Sequence, residues 1–244
     1  MGWLIEIILR DYGPEDFSQV ISVFKDSCQT LKKSNGGTHP DDAVDHLLKG
    51  TDMQILGRIT GGAKLIVAEV KETGQIVGTG GVKRGKFDRL FGVACSVAHY
   101  VRSDFQKGKA GVSVGSLLRR ESLARAAAAG CRKMYGFSTA DAIGFHKKFG
   151  ARFLPRYDRP YINGIVPSHY YEMELRPSIW NRLEPMPILF AFEGVFFWTR
   201  FLRFMLKGAP FSLLSKDERA VWLEIFKALF LPPPKEGAKP KASG

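Results

Sequence analysis

A stretch rich in small and basic residues, Val101–Ser116 (VRSDFQKGKAGVSVGS), has the composition of an anion-binding turn. It follows a run of strand-forming residues and precedes a run of strong helix formers, so a helix is expected to begin directly after a strand. Free backbone N–H groups at a helix start, with the positive end of the helix dipole, favour a bound phosphate. Lys107 and Lys109 add positive charge. The stretch therefore predicts a phosphate site, although a glycine-rich turn is often only a turn.

Two histidines have a setting that would suit proton transfer near neutral pH, where imidazole titrates. His146 lies between two phenylalanines of a helical run, and it could simply pack against them. His99 belongs to the strand-like run before the turn, where it could equally be a structural histidine. Two-residue alternation places His99 on one face with three neighbours of its strand, Cys95, Val97 and Val101.

The sequence contains no pattern for a metal centre, a nucleophilic serine or a P-loop. Its cysteines are widely spaced among apolar neighbours, which favours reduced thiols over disulfides. No export signal precedes the first predicted strand. We therefore expect no metal and a cytoplasmic location. The histidines that lack ligand spacing are His39, His46, His99, His146 and His169.

The chain of 244 residues is basic, with 36 Lys and Arg against 24 Asp and Glu, a net charge of +12. This balance favours anionic partners such as a phosphate-rich cofactor, an acidic carrier protein, nucleic acid or an acidic membrane surface. No aromatic RNA-binding motif, zinc-finger spacing or long basic run is present, which makes nucleic acid the weaker interpretation.

The hydrophobic pattern predicts a mixed α/β domain in the order β-α-α-β-β-β-α-β-α-β. Two β-rich runs joined by Glu72-Thr73-Gly74 predict a hairpin, and a strand–helix–strand unit follows it. The predicted strands are Trp3–Arg10, Lys64–Lys71, Gln75–Lys83, Phe91–Val101, Cys131–Phe137 and Ser168–Leu175. The predicted helices are Phe17–Leu31, a short helix between Pro40 and Gly50, Ser116–Ala129 and Ala140–Phe149.

Helical patterns replace the α/β pattern after Pro177. The run Ile188–Leu206 is strongly apolar, but a transmembrane helix is not expected because it carries three charges, at Glu193, Arg200 and Arg203. The region 186–230 is expected to pack on the domain, to form a homodimer or to hold the protein at a membrane surface. The predicted division is a first domain, a helical extension and a disordered basic tail, at residues 1–176, 177–232 and 233–244.

The element order resembles that of the GNAT superfamily of acyl-CoA-dependent N-acyltransferases. In that family a strand ending in V-x-x-x-x-Q/R leads into a Q/R-x-x-G-x-G/A loop and a helix, and the loop amides bind the pyrophosphate of coenzyme A. Val101 and Gln106 match the strand end at the family's spacing. The resemblance implies that acetyl-CoA, or a longer acyl-CoA, binds at this turn.

The loop matches the family in two registers that differ by four residues. Counting forward from Gln106 places Lys109 and Gly111 at the two glycine positions, whereas counting back from the helix end places Ser113 and Gly115 there. The second register is preferred because it gives the helix the family's usual length. The cofactor-binding residues implied by the resemblance are Val101, Gln106, Lys109, Gly111, Val112, Ser113, Val114, Gly115 and Ser116.

Three further segments resemble the family over residues 3–175. Ala142–Ala151 is similar to the helix that lies along the pantetheine, Tyr170–Leu175 to the closing strand, and Ile66–Gly81 to the substrate-side hairpin. The fold implied is a GNAT-like mixed, mostly antiparallel central sheet flanked by helices, with a helical C-terminal extension.

The family's mechanism requires a deprotonated amine, an oxyanion donor and an acid for the leaving thiolate. His146 stands where the family often has a tyrosine acid, so it is the candidate acid. His99 is the candidate base, acting directly or through water. The resemblance also implies an oxyanion donor among the backbone N–H groups of the same strand, at Val97 or Ala98.

The function implied is an N-acetyltransferase that moves an acetyl group from acetyl-CoA to a primary amine by direct attack in a ternary complex. The acceptor is a small-molecule or peptide amine, with small molecules, peptide N-termini and lysines left open. Its site is expected to be built from variable loops such as Asp41–Arg58 and Asp158–Pro167. Two alternatives stay open. One is a long-chain N-acyltransferase that uses acyl-CoA or acyl carrier protein, and the other is a non-catalytic CoA-binding module.

Overall fold

The computed structural model describes residues 5–49, 51–108, 111, 113–162, 166–178 and 185. All of them belong to the first of the two units into which the chain divides, Met1–Ile188. The predicted apolar helix Ile188–Leu206 and the basic tail lie outside these residues. Within this described part, no helix combines the length and the apolar character needed to cross a membrane.

The core of the domain is a sheet in the order β1-β2-β3-β4-β5-β8-β6, and β7 also pairs with β8. Only β4 and β5 pair in parallel; each other pairing in the described sheet is antiparallel. The strands are β1 Ile7–Asp11, β2 Ala63–Val70, β3 Gln75–Lys83, β4 Val93–Val101, β5 Lys133–Ser138, β6 Arg152–Phe153, β7 Arg159–Ile162 and β8 Val166–Glu174.

Helices cover both faces of the sheet, and alternate residues of one strand divide between two cores. On β2, Val67 packs in one core with Phe24, while its neighbour Ile66 packs on the opposite side with Leu118. This division follows from the two-residue period of a strand. The helices are α1 Phe17–Gln29, α2 Asp41–Lys49, α3 Thr51–Thr60, α4 Lys86–Leu90, α5 Val114–Ala128 and α6 Ile143–Lys147.

A buried ion pair joins β5 to β8. Lys133 Nζ donates to Glu172 Oε2 at 2.7 Å, and Tyr170 Oη donates to the other carboxylate oxygen at 3.0 Å. Both charged side chains are almost completely buried, with exposures of 1% and 2%. Breaking such a pair from one side is costly because it leaves a buried charge without its partner.

The predicted mixed α/β class, the hairpin and the strand–helix–strand unit are confirmed, but several boundaries are not. The first strand begins at Ile7 rather than Trp3, and the helix predicted over Ala140–Phe149 is a short 3-10 turn followed by α6. α3 was not predicted, although its residue Ile55 packs in the same core as the apolar residues of α1. α4, β6 and β7 have two to five residues, which is too short to give a periodic signal.

Candidate active site

A β-bulge interrupts β4 in the middle of the sheet. Val97 and Tyr100 pair with β3 residues that are only two positions apart, so β4 carries one extra residue. Ala98 lies at the bulge with φ +56, a left-handed conformation that is uncommon for a residue with a β carbon. The extra residue of a bulge is left out of the regular ladder. The backbone N–H groups predicted as oxyanion donors, at Val97 or Ala98, therefore lie at this interruption.

The bulge makes the predicted alternation along β4 wrong beyond Val97. The extra residue shifts the phase by one position, so His99 and Val101 lie on the α5 face together with Ser96 rather than with Cys95. Tyr100 lies on the opposite face, where its ring packs 4.4 Å from the Phe24 ring of α1.

The turn after β4 is closed by hydrogen bonds and positive-φ residues. Gln106 Nε2 donates to the Val101 carbonyl at 2.8 Å, so these two predicted residues do come together. Lys107, Gly108 and Gly111 have φ of +56, +73 and +75, the left-handed region that glycine tolerates best. The predicted residues Lys109 and Val112 lie outside the described residues.

Helix α5 begins at Val114, two residues before the predicted start at Ser116. The Ser113 carbonyl accepts from the N–H groups of Ser116 and Leu117, at 2.9 and 3.1 Å. The N–H groups of Val114 and Gly115 have no acceptor inside the helix, as in the first turn of any α-helix. They lie at its positive end and can receive an anion.

Gly115 belongs to the first turn of α5, as the preferred register requires. A β carbon at Gly115 would lie 3.5 Å from the Phe145 ring and 3.6 Å from Val101 Cγ2, so the glycine packs between the end of β4 and α6. Gly111 lies upstream of the helix, as expected for a loop extended by four residues. The helix starts early because Val114 is fully buried in the core beneath it.

A close approach between α5 and β3 fixes the position of this helix start. A β carbon at Gly78 would lie 2.8 Å from both Val114 Cγ1 and Leu118 Cδ1, which is closer than side-chain atoms approach each other. Only glycine therefore lets the first turns of α5 pack this close to the sheet.

β4 and β5 pair over only three residues, from Val93↔Lys133 to Cys95↔Tyr135. The region that follows, from Ser96 on β4 and Gly136 on β5, is called the crevice below. A β carbon at Gly136 would lie 2.6 Å from Tyr171 Oη and 3.2 Å from Ser96 Cβ. The missing side chain of Gly136 is thus replaced by the hydroxyl of a tyrosine from β8.

A fully buried arginine of α5 reaches into the crevice. Arg119 Nη1 donates to Ser96 Oγ at 2.9 Å, and Nη2 donates to Tyr171 Oη at 3.0 Å and lies 2.5 Å from His146 Nδ1. The relative exposure of Arg119 is 0%. These four residues form the Arg119 cluster, of which only His146 was predicted.

His146 is neutral in this environment. Arginine only donates, so His146 Nδ1 must be an unprotonated acceptor. The imidazole also stacks on the Tyr171 ring at 4.4 Å. Burial, followed by the charge of Arg119, lowers the pKa of His146 to about 3. The acid role predicted for His146 would therefore have to be performed by a neutral imidazole.

His99 lies under β3, where a β carbon at Gly80 would be 2.8 Å from its Cε1 atom. Its Nε2 atom is shielded from solvent and has no hydrogen-bond partner among the described residues. Burial lowers the pKa of His99 well below its usual value, and the charge of Arg119 acts in the same direction. His99 is thus a neutral imidazole with one buried ring nitrogen that has no partner among the described residues. Its role as the base stays a prediction, and its low pKa would make it a weak base.

The chain has the fold of the GNAT acetyltransferases, which confirms the predicted fold class. It aligns over 70% of its length with a GCN5-related N-acetyltransferase from Rhodopseudomonas palustris, covering 98% of that chain with 19% identity and a TM-score of 0.55. It aligns equally far with the PaiA N-acetyltransferase from Thermoplasma acidophilum in complex with coenzyme A, covering 99% of that chain with 13% identity and a TM-score of 0.53. No protein-family model and no curated protein matches the sequence.

Proposed function

We propose that this protein is an N-acyltransferase that moves an acyl group, acetyl in the simplest case, from coenzyme A to a primary amine. The observation that carries the proposal is the continuous arrangement of bulge, turn and helix start. The bulge at Ala98 is followed by a turn closed by Gln106 and by the open first turn of α5 at Gly115. One extended ligand with a phosphate end and a reactive end fits this arrangement.

The residues present fit coenzyme A at the helix start. The N–H groups of Val114 and Gly115 lack acceptors in the helix and would receive the pyrophosphate, and the exposed Lys107 adds positive charge. Gly115 has no side chain to block this approach. When bound, acyl-CoA supplies an activated thioester. The pantetheine would follow β4 past Phe145 of α6 toward the bulge.

The residues of β4 would supply the polar groups of the reaction. The N–H groups near Ala98, left out of the ladder by the bulge, would stabilise the developing oxyanion. His99 is neutral at pH 7 and would accept the amine proton directly or through water. His146 would hold the Arg119 side chain in place by accepting its hydrogen bond. The Nε2–H group of His146 would protonate the leaving thiolate, which is the acid role predicted for this residue.

A second candidate function is a CoA-binding module without turnover. The low pKa of both His99 and His146 favours it, because a weak base and a neutral imidazole contribute less to acyl transfer. The two functions share the CoA site and differ only in the presence of turnover.

Release of free CoA thiol from acetyl-CoA, measured with a panel of small amines and peptide N-termini, tests the proposal. We expect turnover with at least one acceptor, and a loss of roughly 10²-fold or more in His99→Gln if His99 is the base. CoA binding without turnover on any amine would support the second candidate and contradict acyl transfer.

A further inference from the structure

The guanidinium of Arg119 is buried without an opposite charge. Its four hydrogen-bond contacts are the neutral groups Ser96 Oγ, Met134 Sδ, His146 Nδ1 and Tyr171 Oη, and its Nε atom has no partner among the described residues. None of these contacts of Arg119 with described residues is to a carboxylate. A buried charge is stable only when it is paired and fully hydrogen-bonded. The Arg119 side chain therefore lacks the negatively charged partner that would complete a buried ion pair.

We propose that the Arg119 cluster is a subsite that binds a carboxylate carried by a substrate. The inference rests on the proposed function, and it names the chemical class that the site selects. Hydrogen bonds and the nearby rings of Phe145 and Tyr171 stabilise the buried guanidinium, but no opposite charge among the described residues does. A bound carboxylate would complete the ion pair and accept from Ser96 Oγ or Tyr171 Oη as well as from the guanidinium.

The cluster lies at the inner end of the crevice. Ser96 directly follows Cys95, the last residue of β4 that pairs with β5, and it precedes the bulge at Ala98 by two positions. A thioester held by the bulge amides would thus direct its acyl group toward Ser96 and Arg119. An acyl site that ends at a buried cation would be unsuited to a hydrocarbon chain, which disfavours the long-chain acyl alternative.

Two sources can supply the carboxylate. A dicarboxylic acyl group on CoA, such as succinyl, would place its free carboxylate at the Arg119 cluster. An amino acid acceptor would place its carboxylate there from the amine side. The acyl source is expected, because the cluster lies beyond the bulge on the side where β4 and β5 converge.

Isothermal titration calorimetry of succinyl-CoA against butyryl-CoA separates charge from chain length, since both acyl chains have four carbons. The wild type is expected to bind succinyl-CoA roughly 10- to 100-fold more tightly, the range for a hydrogen bond to a charged group. Arg119→Met should abolish this preference and bind succinyl-CoA and butyryl-CoA with similar affinity. Arg120→Met, on the exposed side of the same helix, should keep the preference.

A second titration adds an amino acid or its amide to the protein saturated with CoA. Preference for the free carboxylate that disappears in Arg119→Met would assign the subsite to the acceptor. Equal binding within both pairs by the wild type, with CoA bound normally, would overturn the inference and leave the proposed function intact. Absence of CoA binding would overturn both. The comparison of charged with uncharged ligands in the wild type tests the inference even if a variant does not fold.

Discussion

Replacing His146 should change how stability depends on pH, because its imidazole is buried beside a cation. Its pKa falls from the ordinary value of 6.5 to about 3 in the folded protein. The unfolded chain therefore takes up this proton first as the pH falls below 6.5, so stability is complete above that pH and is lost toward pH 3. Between pH 7.5 and 5.0 the loss from this one group amounts to about 2 kcal/mol.

Urea unfolding followed by far-UV circular dichroism at pH 7.5 and 5.0 measures this loss. His146→Gln keeps a carbonyl acceptor for Arg119, whereas His146→Phe keeps the ring stack on Tyr171; neither side chain titrates. Both variants should lose about 2 kcal/mol less than the wild type over this pH range, although their absolute stabilities differ. The same pH dependence in the wild type and both variants would refute the reasoning.

Three other substitutions test the packing around the crevice by the same unfolding measurement. Gly136→Ala should cost about 1–3 kcal/mol, because its β carbon would lie 2.6 Å from Tyr171 Oη. Ala98→Gly should be neutral or stabilising, because it relieves a left-handed backbone worth ~1 kcal/mol, whereas the control Ala94→Gly in regular strand should lose about 1 kcal/mol. Glu172→Gln should cost ~3 kcal/mol by removing one charge of a buried ion pair.

Each of these substitutions has an outcome that would contradict the account. An unchanged free energy of unfolding in Gly136→Ala would mean that the Tyr171 hydroxyl does not lie beside Gly136. Equal losses of stability in Ala98→Gly and Ala94→Gly would mean that Ala98 does not have the left-handed conformation of a bulge. An unchanged free energy of unfolding in Glu172→Gln would mean that its ion pair with Lys133 is not buried from solvent.

The regular elements and the phosphate turn could be predicted from the sequence because their signals are local. The turn between Val101 and Ser116 shows small residues, basic residues and a following run of helix formers within one short window. The residue at which α5 begins was harder to predict, because the first turn of this helix depends on how Val114 packs on Gly78 of β3.

The bulge at Ala98 could not be predicted, because alanine gives no sign of a positive φ. Strand alternation assigns every later residue of β4 to the wrong face once one extra residue is inserted. This is why His99 was expected beside Cys95 and is found on the side of Arg119.

The Arg119 cluster was missed for a different reason. An arginine in a helix is usually a surface residue, and its neighbour Arg120 is indeed exposed. One signal was present, because Arg119 lies three residues before Ser122 and seven before Ala126, on the buried stripe of α5. The partners Ser96 and Tyr171 come from distant strands, and only the assembled sheet brings them together.

Calorimetric titration of coenzyme A into the wild type and Gly115→Glu tests the central claim most directly. A β carbon fits at Gly115 at ordinary contact distance, and an acidic residue in the first turn suits the helix dipole, so the variant should fold with unchanged or higher thermal stability. Gly57→Glu is the matched control, since it adds the same charge to α3 in open space. We expect the wild type and Gly57→Glu to bind coenzyme A and Gly115→Glu to lose binding. Equal binding by all three, or no binding by the wild type, would contradict a coenzyme A site at the start of α5.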